Sequence, residues 1–327
     1  MRNFSYLRAN SATEASQAAQ QAGAMLLAGG TTLLDLAKCG VTEPETVIDI
    51  INLSGMSDIT AEAAGVRIGA LARMSEVADH KDIRAAFPAV SESLSLAASA
   101  QLRNMATIGG NLLQRTRCSY FRDPGAFPVC NKRNPGSGCS AIGGITRNHA
   151  VLGTSEACIA SYPGDLAVAL VAFDAVVETD GRKIAVDDFF LIPGDTPNKE
   201  TILQRGEIIT AIAIPASAAA RNSTYIKVRD RQSYEFAAAS AAVGLEFEAD
   251  GRTVRDIRVA LGGVATKPWR VRDVERALIG KALTAEAVEK ASRLAMEGAV
   301  AHGGNRYKIE LAPRVIARAI LRMGGLA

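Results

Sequence analysis

The stretch Leu27-Ala28-Gly29-Gly30-Thr31-Thr32-Leu33 places two adjacent glycines between a predicted buried strand, residues 25–28, and a predicted helix, residues 31–38. Glycine lets a backbone approach an anion closely, and the amide groups at a helix N-terminus supply positive partial charge. With two threonine hydroxyls as further donors, the stretch suits a pyrophosphate. Two glycines that follow a strand form a plain turn about as often as they form an anion-binding loop. The spacing is not the G-x-G-x-x-G of nicotinamide-type dinucleotide sites, so such a site is not indicated.

A second glycine loop, Ala106-Thr107-Ile108-Gly109-Gly110-Asn111, carries the same chemistry later in the chain. Two separate Gly-Gly loops with flanking Thr or Asn can wrap the two phosphates of one dinucleotide. Further on, Ser161-Tyr162-Pro163-Gly164-Asp165 forms a turn that ends in a carboxylate, at the start of a predicted helix over residues 165–173. Asp165 is then either a helix cap or an acceptor of hydrogen bonds from ribose or adenine.

An Ala- and Ser-rich link at residues 216–222 divides the chain into two parts. Before the link, the pattern predicts strands at 46–50 and 65–70, a helix that Pro88 opens and that runs through Gln101, and a hairpin at Asp180-Gly181. After the link, it predicts strands at 223–228, around 244–247 and at 257–261, then helices at 284–299 and 308–322. Strands followed by helices indicate an α+β class. We therefore predict an α+β chain with a first domain at residues 1–217 and a smaller α+β domain at residues 223–327.

The bulk composition excludes several classes of protein. The 327 residues are 48% apolar and carry a net charge of +3, with acidic and basic residues interspersed, so nucleic-acid binding is not indicated. No apolar run reaches membrane-spanning length. Residues 1–6 lack the basic-then-apolar order of a secretory signal. We expect a cytoplasmic chain or one carried folded to the periplasm by a partner's signal, with the periplasm favoured.

Four of the five cysteines, Cys118, Cys130, Cys139 and Cys158, lie in one stretch, while Cys39 stands alone. This stretch contains three prolines, six glycines and few large aliphatic residues, so it cannot bury enough apolar surface to offset its ordering entropy. Four thiols inside it indicate a metal staple. Because zinc and an iron–sulfur cluster both accept four thiolates and no C-x2-C pair exists, spacing alone leaves the metal open. Cys39 is interpreted as a buried structural thiol.

Six motifs, taken in order along the chain, resemble those of the FAD subunits of the xanthine dehydrogenase and carbon monoxide dehydrogenase family, the molybdenum hydroxylases. The motifs are Phe4-Ser5-Tyr6, Ala28-Gly29-Gly30-Thr31, Ala106-Thr107-Ile108-Gly109-Gly110-Asn111, Pro163-Gly164-Asp165, Leu203-Gln204-Arg205-Gly206-Glu207-Ile208-Ile209 and Tyr225-Ile226-Lys227-Val228-Arg229. The resemblance covers nearly the whole chain. It implies an FAD-binding domain of the vanillyl-alcohol-oxidase (PCMH) type, followed by a C-terminal domain of the carbon monoxide dehydrogenase flavoprotein type.

The resemblance also implies where FAD lies. The pyrophosphate would contact Leu27, Ala28, Gly29, Gly30, Thr31, Thr32 and Leu33 on the first loop, and Thr107, Ile108, Gly109, Gly110 and Asn111 on the second. Asp165, at the end of the turn that begins at Ser161, would lie at the adenosine, and Ile208 and Ile209 near the flavin ring. Lys227 would lie near the polar edge of the flavin, where a cation stabilises negative charge. Without the family, Lys227 would be interpreted as a solvated strand lysine.

Most family members run almost directly from the Asn111 motif to the Asp165 motif, whereas here about fifty residues, 112–163, intervene. This insertion resembles those of the periplasmic aldehyde oxidoreductase FAD subunits and of 4-hydroxybenzoyl-CoA reductase, the former more closely. The resemblance implies a [4Fe–4S] cluster on Cys118, Cys130, Cys139 and Cys158, which we interpret as a staple rather than an electron relay. Nearby basic residues either contribute to solubility, or raise the potential of the cluster or dock a partner. These residues are Arg115, Arg117, Arg122, Lys132 and Arg133.

No residue is assigned a catalytic role, because His80, His149 and His302 are isolated in the sequence. The resemblance implies a heterotrimer in which hydroxylation takes place on a large molybdopterin subunit. This chain would receive electrons from a small [2Fe–2S] subunit and pass them from FAD to an external acceptor, in an aldehyde-oxidising complex. The alternatives are a 4-hydroxybenzoyl-CoA reductase-like or xanthine dehydrogenase-like complex, a standalone flavoenzyme with a structural zinc, and an assembly scaffold whose flavin site has decayed.

Overall fold

A computed structural model describes residues 1–326 of the chain. Within them the strands are β1 Ser5–Arg8, β2 Ala24–Leu27, β3 Thr46–Asp49, β4 Ile59–Glu62, β5 Gly65–Gly69, β6 Val176–Thr179, β7 Lys183–Ala185, β8 Ile209–Pro215, β9 Ser223–Val228, β10 Ala239–Phe247, β11 Val254–Gly262 and β12 Trp269–Arg270. The helices are α1 Ala12–Ala19, α2 Leu33–Lys38, α3 Met74–Asp79, α4 Lys81–Ala86, α5 Pro88–Ser95, α6 Ala100–Arg103, α7 Ile108–Leu112, α8 Ser119–Arg122, α9 Leu166–Ala172, α10 Val186–Phe189, α11 Ala218–Arg221, α12 Arg272–Leu278, α13 Ala285–Arg293 and α14 Tyr307–Met323. The mixture confirms the α+β class. None of the helices in this described range is long and apolar enough to cross a membrane.

The first glycine loop leaves a three-stranded parallel sheet, ordered β1-β3-β2. Leu26 of β2 pairs with Ile48 of β3, and Ile48 is fully buried. Strand β2 is half-buried rather than buried as predicted, because residues 24–26 line a cavity on one side of the sheet. The loop therefore starts from the carboxyl end of a strand that its neighbour holds in place.

A five-stranded antiparallel sheet, β4-β5-β8-β6-β7, packs in the same core. Its β6–β7 pair confirms the hairpin predicted at Asp180-Gly181. Helix α9 is apolar and buried along its whole length. It contacts α5 on one side and strands β10 and β11 on the other, so it joins the two hydrophobic cores of the chain.

The C-terminal sheet is antiparallel, ordered β12-β11-β10-β9, and α14 packs against it. Leu245 of β10 pairs with Ile257 of β11, and both are fully buried. The strands and helices predicted after the link are confirmed. The helix predicted at residues 284–299 is shorter than expected, because α13 ends at Arg293 and a 3-10 turn over Leu294–Met296 follows it.

The helix predicted from Pro88 through Gln101 is wrong in its second half. Helix α5 ends at Ser95, and Ala98 takes a left-handed conformation with φ +47°, which stops a right-handed helix. Ser99 then accepts a hydrogen bond from the backbone N–H of Leu102 and caps the separate helix α6. The alanines of this stretch favour a helix, and tertiary structure overrides that propensity.

The insertion at residues 112–163 is ordered, and its second half packs against the C-terminal sheet. Val151 and Leu152 are buried in the same core as α14, and their backbone N–H groups both donate to the carbonyl of Val264, at 2.8 and 3.1 Å. The expectation that the insertion has almost no apolar core is therefore wrong for this half. In the half that carries Cys118, Cys130 and Cys139, Leu112 belongs to the N-terminal core, and the residues around the cysteines contribute only to small apolar clusters.

Candidate functional site

A cavity of about 540 Å³, called here the large cavity, lies between the two glycine loops. Residues 28–33 line one wall, Thr107, Gly109 and Gly110 line another, and residues 203–209 line a third. Side chains that sequence reasoning missed are also present, among them Arg115 and Thr42. Both lie shortly after a glycine motif in the chain, but neither belongs to a motif, and Arg115 was interpreted only as one of the basic residues of the insertion.

A second cavity, of about 230 Å³, shares Thr31, Thr32 and Gly110 with the large cavity. The two glycine loops therefore lie at the junction of two adjoining cavities. A ligand with a bulky group at each end and an anionic centre matches this arrangement, because the backbone of the first loop and the hydroxyls of Thr31 and Thr32 are at the centre. Residues 231 and 234–236, which were not predicted, close the second cavity.

Each cavity has a buried polar atom without a hydrogen-bond partner within the described residues. These atoms are the hydroxyl oxygen of Thr42, in the wall of the large cavity, and Oδ1 of Asn111, in the wall of the second. A buried polar group without a partner costs about 1–3 kcal/mol. Both atoms are therefore available to a bound molecule, and binding would recover that cost.

The two glycines of the first loop are required for different reasons. Gly30 has φ +71°, a left-handed conformation that L side chains adopt only with strain. A Cβ on Gly29 would lie 1.9 Å from the carbonyl oxygen of Met105, so Gly29 allows the first loop to touch the chain just before the second. On the second loop, Thr107 accepts a hydrogen bond from the backbone N–H of Gly110 at 3.3 Å and caps α7.

The four grouped cysteines line one small cavity of about 10 Å³, called here the cysteine cavity. Cys130 and Cys139 face each other across an antiparallel bridge, and Cys118 and Cys158 complete the lining. Burial raises the pKa of Cys118 to about 12 and also raises the pKa of Cys158. Within residues 1–326, no three His, Cys, Asp or Glu side chains are placed to hold a single metal ion.

His149 lies beside the cysteine cavity, with its Nε2 atom 3.2 Å from Sγ of Cys118. Burial lowers the pKa of His149 to about 4, so the ring is neutral near pH 7. If Nε2 carries the proton, it donates to the sulfur. The sequence offered no reason to pair these two residues.

Two interpretations of side chains near the insertion are corrected. Cys39 is exposed, not a buried structural thiol, because it follows the last turn of α2 at the surface. The basic residues of the insertion are engaged within the chain rather than free for solubility: Arg117 and Arg122 pair with Asp35. Arg133 donates to the carbonyl oxygens of residues 120, 121 and 127.

Comparison with known proteins identifies the family. Residues 2–217 match the model described as the FAD binding domain in molybdopterin dehydrogenase, and residues 223–323 match the CO dehydrogenase flavoprotein C-terminal domain. The chain belongs to the FAD-binding medium subunits of the molybdenum hydroxylase family. It is thus a subunit of an oxidoreductase and has an FAD-binding domain.

Individual relatives agree with this membership. The chain is 47% identical over 285 residues to the aldehyde oxidoreductase FAD-binding subunit PaoB of Escherichia coli (strain K12), covering 85% of this chain and 86% of that one. It is 28% identical over 324 residues to the carbon monoxide dehydrogenase medium chain of Hydrogenophaga pseudoflava, covering 97% and 96%. A solved structure of carbon monoxide dehydrogenase from Hydrogenophaga pseudoflava matches with a TM-score of 0.77 at 26% identity, covering 100% and 99% of the two chains.

Most of the residues predicted to contact the cofactor of this medium subunit line the two cavities. Four do not. Leu27 lies beneath the loop, with Cδ1 3.3 Å from the position of a Cβ on Gly30, and Ile108 is a core residue with 1% exposure. Ser161 lines a different cavity, and Lys227 lies behind Asp165 rather than in either wall.

Asp165 and Lys227 form a buried ion pair, 2.8 Å between Oδ2 and Nζ, with side-chain exposures of 4% and 1%. Tyr225 also donates to Asp165, at 2.7 Å. Burial raises the pKa of Asp165, and the charge of Lys227 opposes that rise. The sequence assigned these two residues to opposite ends of the cofactor, whereas in the fold they contact each other directly. Asp165 lines the second cavity, whereas Ile208 and Ile209 line the large one.

We expect Lys227→Met to lower the free energy of unfolding of this medium subunit by about 3–5 kcal/mol, because it leaves the Asp165 carboxylate buried without its counter-ion. Urea unfolding of the purified chain measures the loss. The double variant with Asp165→Asn should lose less than the sum of the two single variants, since the charge is then gone as well. Additive losses would show that the pair is not coupled.

Glu207 braces the loop that forms the third wall of the large cavity. Its carboxylate accepts hydrogen bonds from Arg182 at 2.8 Å, from Thr179 at 2.8 Å and from the backbone N–H of Gln204 at 2.9 Å. These bonds, led by that of Arg182, hold the pKa of Glu207 at about 2. The ionised carboxylate therefore ties residues 204–207 to the strand end at Thr179.

We expect Glu207→Gln to lower the melting temperature by about 2–4 °C near pH 6, the change that about 1 kcal/mol produces in a domain of about 150–250 residues. Because the folded pKa lies below the ordinary value of 4.5, the stabilisation is complete above pH 4.5 and is lost as the pH falls toward about 2. The difference between wild type and variant should therefore shrink from pH 6 to pH 3. Exposed Glu289→Gln should leave the melting temperature unchanged, and a pH-independent difference for Glu207→Gln would contradict the assignment.

Proposed function

We propose that this medium subunit holds FAD across the two adjoining cavities and a [4Fe–4S] cluster in the cysteine cavity, within a heterotrimeric molybdenum-containing aldehyde oxidoreductase. The observation that carries the FAD part is the meeting of the two cavities at Thr31, Thr32 and Gly110. The 47% identity to an aldehyde oxidoreductase FAD-binding subunit supports the aldehyde class. We include in the proposal the division into a domain at residues 1–217 and a domain at residues 223–327.

The residues fit FAD better in one orientation. The pyrophosphate would lie at the junction, against the backbone N–H groups of the first loop and the hydroxyls of Thr31 and Thr32. The N–H groups of residues 108–111 already donate within the chain, so the second loop would contribute close approach at its glycines. The flavin ring would lie in the second cavity, because its polar edge needs hydrogen-bond partners and Asn111, Gln114 and Asp165 supply them there. Lys227 would then act on the ring through Asp165. The adenosine would lie in the large cavity against Ile208 and Ile209.

The cysteine cavity fits a metal cluster by its donor set. Four thiols surround one cavity, and buried thiols with a raised pKa bind a cation only with release of their protons. His149 would donate to Sγ of Cys118 and orient that ligand.

The rest of the complex is proposed from the family. Substrate oxidation would take place on a large molybdopterin subunit, and a small [2Fe–2S] subunit would deliver electrons to this chain. When bound, FAD would supply the two-electron chemistry that transfers them to an external acceptor. The residues of this chain would bind and orient the ring and exclude water from it, and none is assigned to substrate chemistry.

Anaerobic purification with a visible spectrum and metal analysis tests the proposal. We expect about one FAD, four iron and four sulfide per chain, the stoichiometry of one cubane cluster. One zinc without sulfide would make the chain a flavoprotein with a structural zinc. A colourless protein without flavin would remove the FAD assignment as well.

A further inference from the structure

A third cavity, of about 240 Å³ and called here the bridging cavity, lies between the large cavity and the cysteine cavity. It shares Leu113 and Arg115 with the large cavity and Lys132, Cys158 and Ala160 with the cysteine cavity. The two proposed cofactor sites are thus joined by a continuous wall of residues. Apart from Cys158, the shared residues have no role in the function proposed above.

Glu200 spans the bridging cavity with its two carboxylate oxygens. Oε2 accepts from Nε of Arg115 at 2.5 Å, and Oε1 accepts from Nζ of Lys132 at 2.9 Å. The Arg115 and Lys132 side chains are only 23% and 10% exposed, so the charges interact in an environment less polar than water. One carboxylate therefore connects a side chain of the large-cavity wall to a side chain of the cysteine-cavity wall.

An apolar contact reinforces the same connection. Phe121 is fully buried and packs against Leu36, which lines the large cavity, and against Cys130. The Arg115 guanidinium lies 4.6 Å from the centre of the Phe121 ring. Helix α8, which contains Phe121, begins directly after Cys118, so a change in the position of that thiol moves the ring on which Arg115 rests.

We propose that Glu200 is a positioning residue that couples the cysteine cavity to the large cavity. A cluster on the four thiols holds Lys132 and α8 in place, and Glu200 then holds Arg115 in the wall of the large cavity, where its donors strengthen FAD binding. The inference rests on the proposed function, because it needs both cofactors. Coupling is reciprocal, so bound FAD strengthens retention of the cluster by the same factor.

The experiment measures the dissociation constant of FAD in the full-length chain, with and without the cluster, from the quenching of flavin fluorescence under anaerobic conditions. Cys139→Ser provides the cluster-free form, because Cys139 lies outside the group formed by Leu36, Phe121 and Cys130. A second cluster-free form is wild-type protein treated with an iron chelator. We expect loss of the cluster to raise the dissociation constant about tenfold in wild type, a typical coupling between two sites. In a Glu200→Gln background the increase should fall below about threefold.

Glu178→Gln is a matched control. Glu178 also bridges an arginine and a lysine, Arg67 at 2.7 Å and Lys183 at 3.1 Å, but it lies on β6 of the five-stranded sheet and lines neither cavity. Its variant should keep the tenfold coupling. A Glu200→Gln chain that binds iron and FAD and keeps the tenfold coupling would overturn the inference and leave the proposed function intact. Equal loss of coupling in Glu178→Gln, or no coupling in wild type, would overturn it too. A wild-type chain that binds no iron would end both the cluster proposal and this inference.

Discussion

Gly30→Val and Gly110→Val are each expected to yield a protein with less than about a tenth of the wild-type flavin. Gly30 has φ +71°, and a Cβ there would lie 3.1 Å from Cδ1 of Leu34, so a branched side chain forces the first loop away from the junction of the cavities. A left-handed conformation alone costs about 1–2 kcal/mol for an L residue. Flavin content, measured from absorbance after denaturation, reports the result.

Gly110→Val acts on the second loop by a different route. Gly110 lines both cavities, and a Cβ there would lie 3.0 Å from the hydroxyl oxygen of Thr107, the group that caps α7. The valine side chain would fill the junction and displace that cap. Gly55→Val is the control, because Gly55 has φ +74° but no atom within 4 Å of its Cβ position. Normal flavin in both loop variants would remove the pyrophosphate assignment.

Cys130→Ser is expected to lose the iron and, with it, most of the FAD and most of the assembly of the complex. Cys130 belongs both to the cysteine cavity and to the apolar group with Leu36 and Phe121, so the ordering of this half of the insertion depends on it. A metal-held segment with little apolar core loses its structure when a ligand is removed. Iron, flavin and subunit ratios of the purified complex measure the effect.

The turnover of the surviving complex separates a staple from an electron relay. A staple predicts that any Cys130→Ser complex that does assemble turns over at a near-normal rate. Full assembly and flavin content with a collapsed rate would instead make the cluster a relay. Cys139→Ser gives the same test at a thiol outside the apolar group of Leu36, Phe121 and Cys130. Cys39→Ser changes an exposed thiol outside the cysteine cavity, and this variant should keep its iron.

Local sequence patterns were sufficient to predict much of the fold and of the candidate site of this protein. The glycine pairs, the grouped cysteines and the strand-to-helix order are each contained in a few consecutive residues, because backbone conformation and thiol chemistry are local properties. They predicted the α+β class and the proposed pyrophosphate loops, and they contain the motifs that resemble those of the family. Where a local pattern competed with tertiary contacts, as between Pro88 and Gln101, local propensity was misleading, because the left-handed turn at Ala98 ends the helix.

Only the tertiary structure decided how these pieces meet. It paired Asp165 with Lys227 and brought Glu200 between Arg115 and Lys132, and it joined two cavities at the glycine loops. It also supplied part of the order in the insertion by packing Val151 and Leu152 into the C-terminal core. Such contacts join residues far apart in sequence, and their strength comes from burial, which no short stretch of sequence specifies.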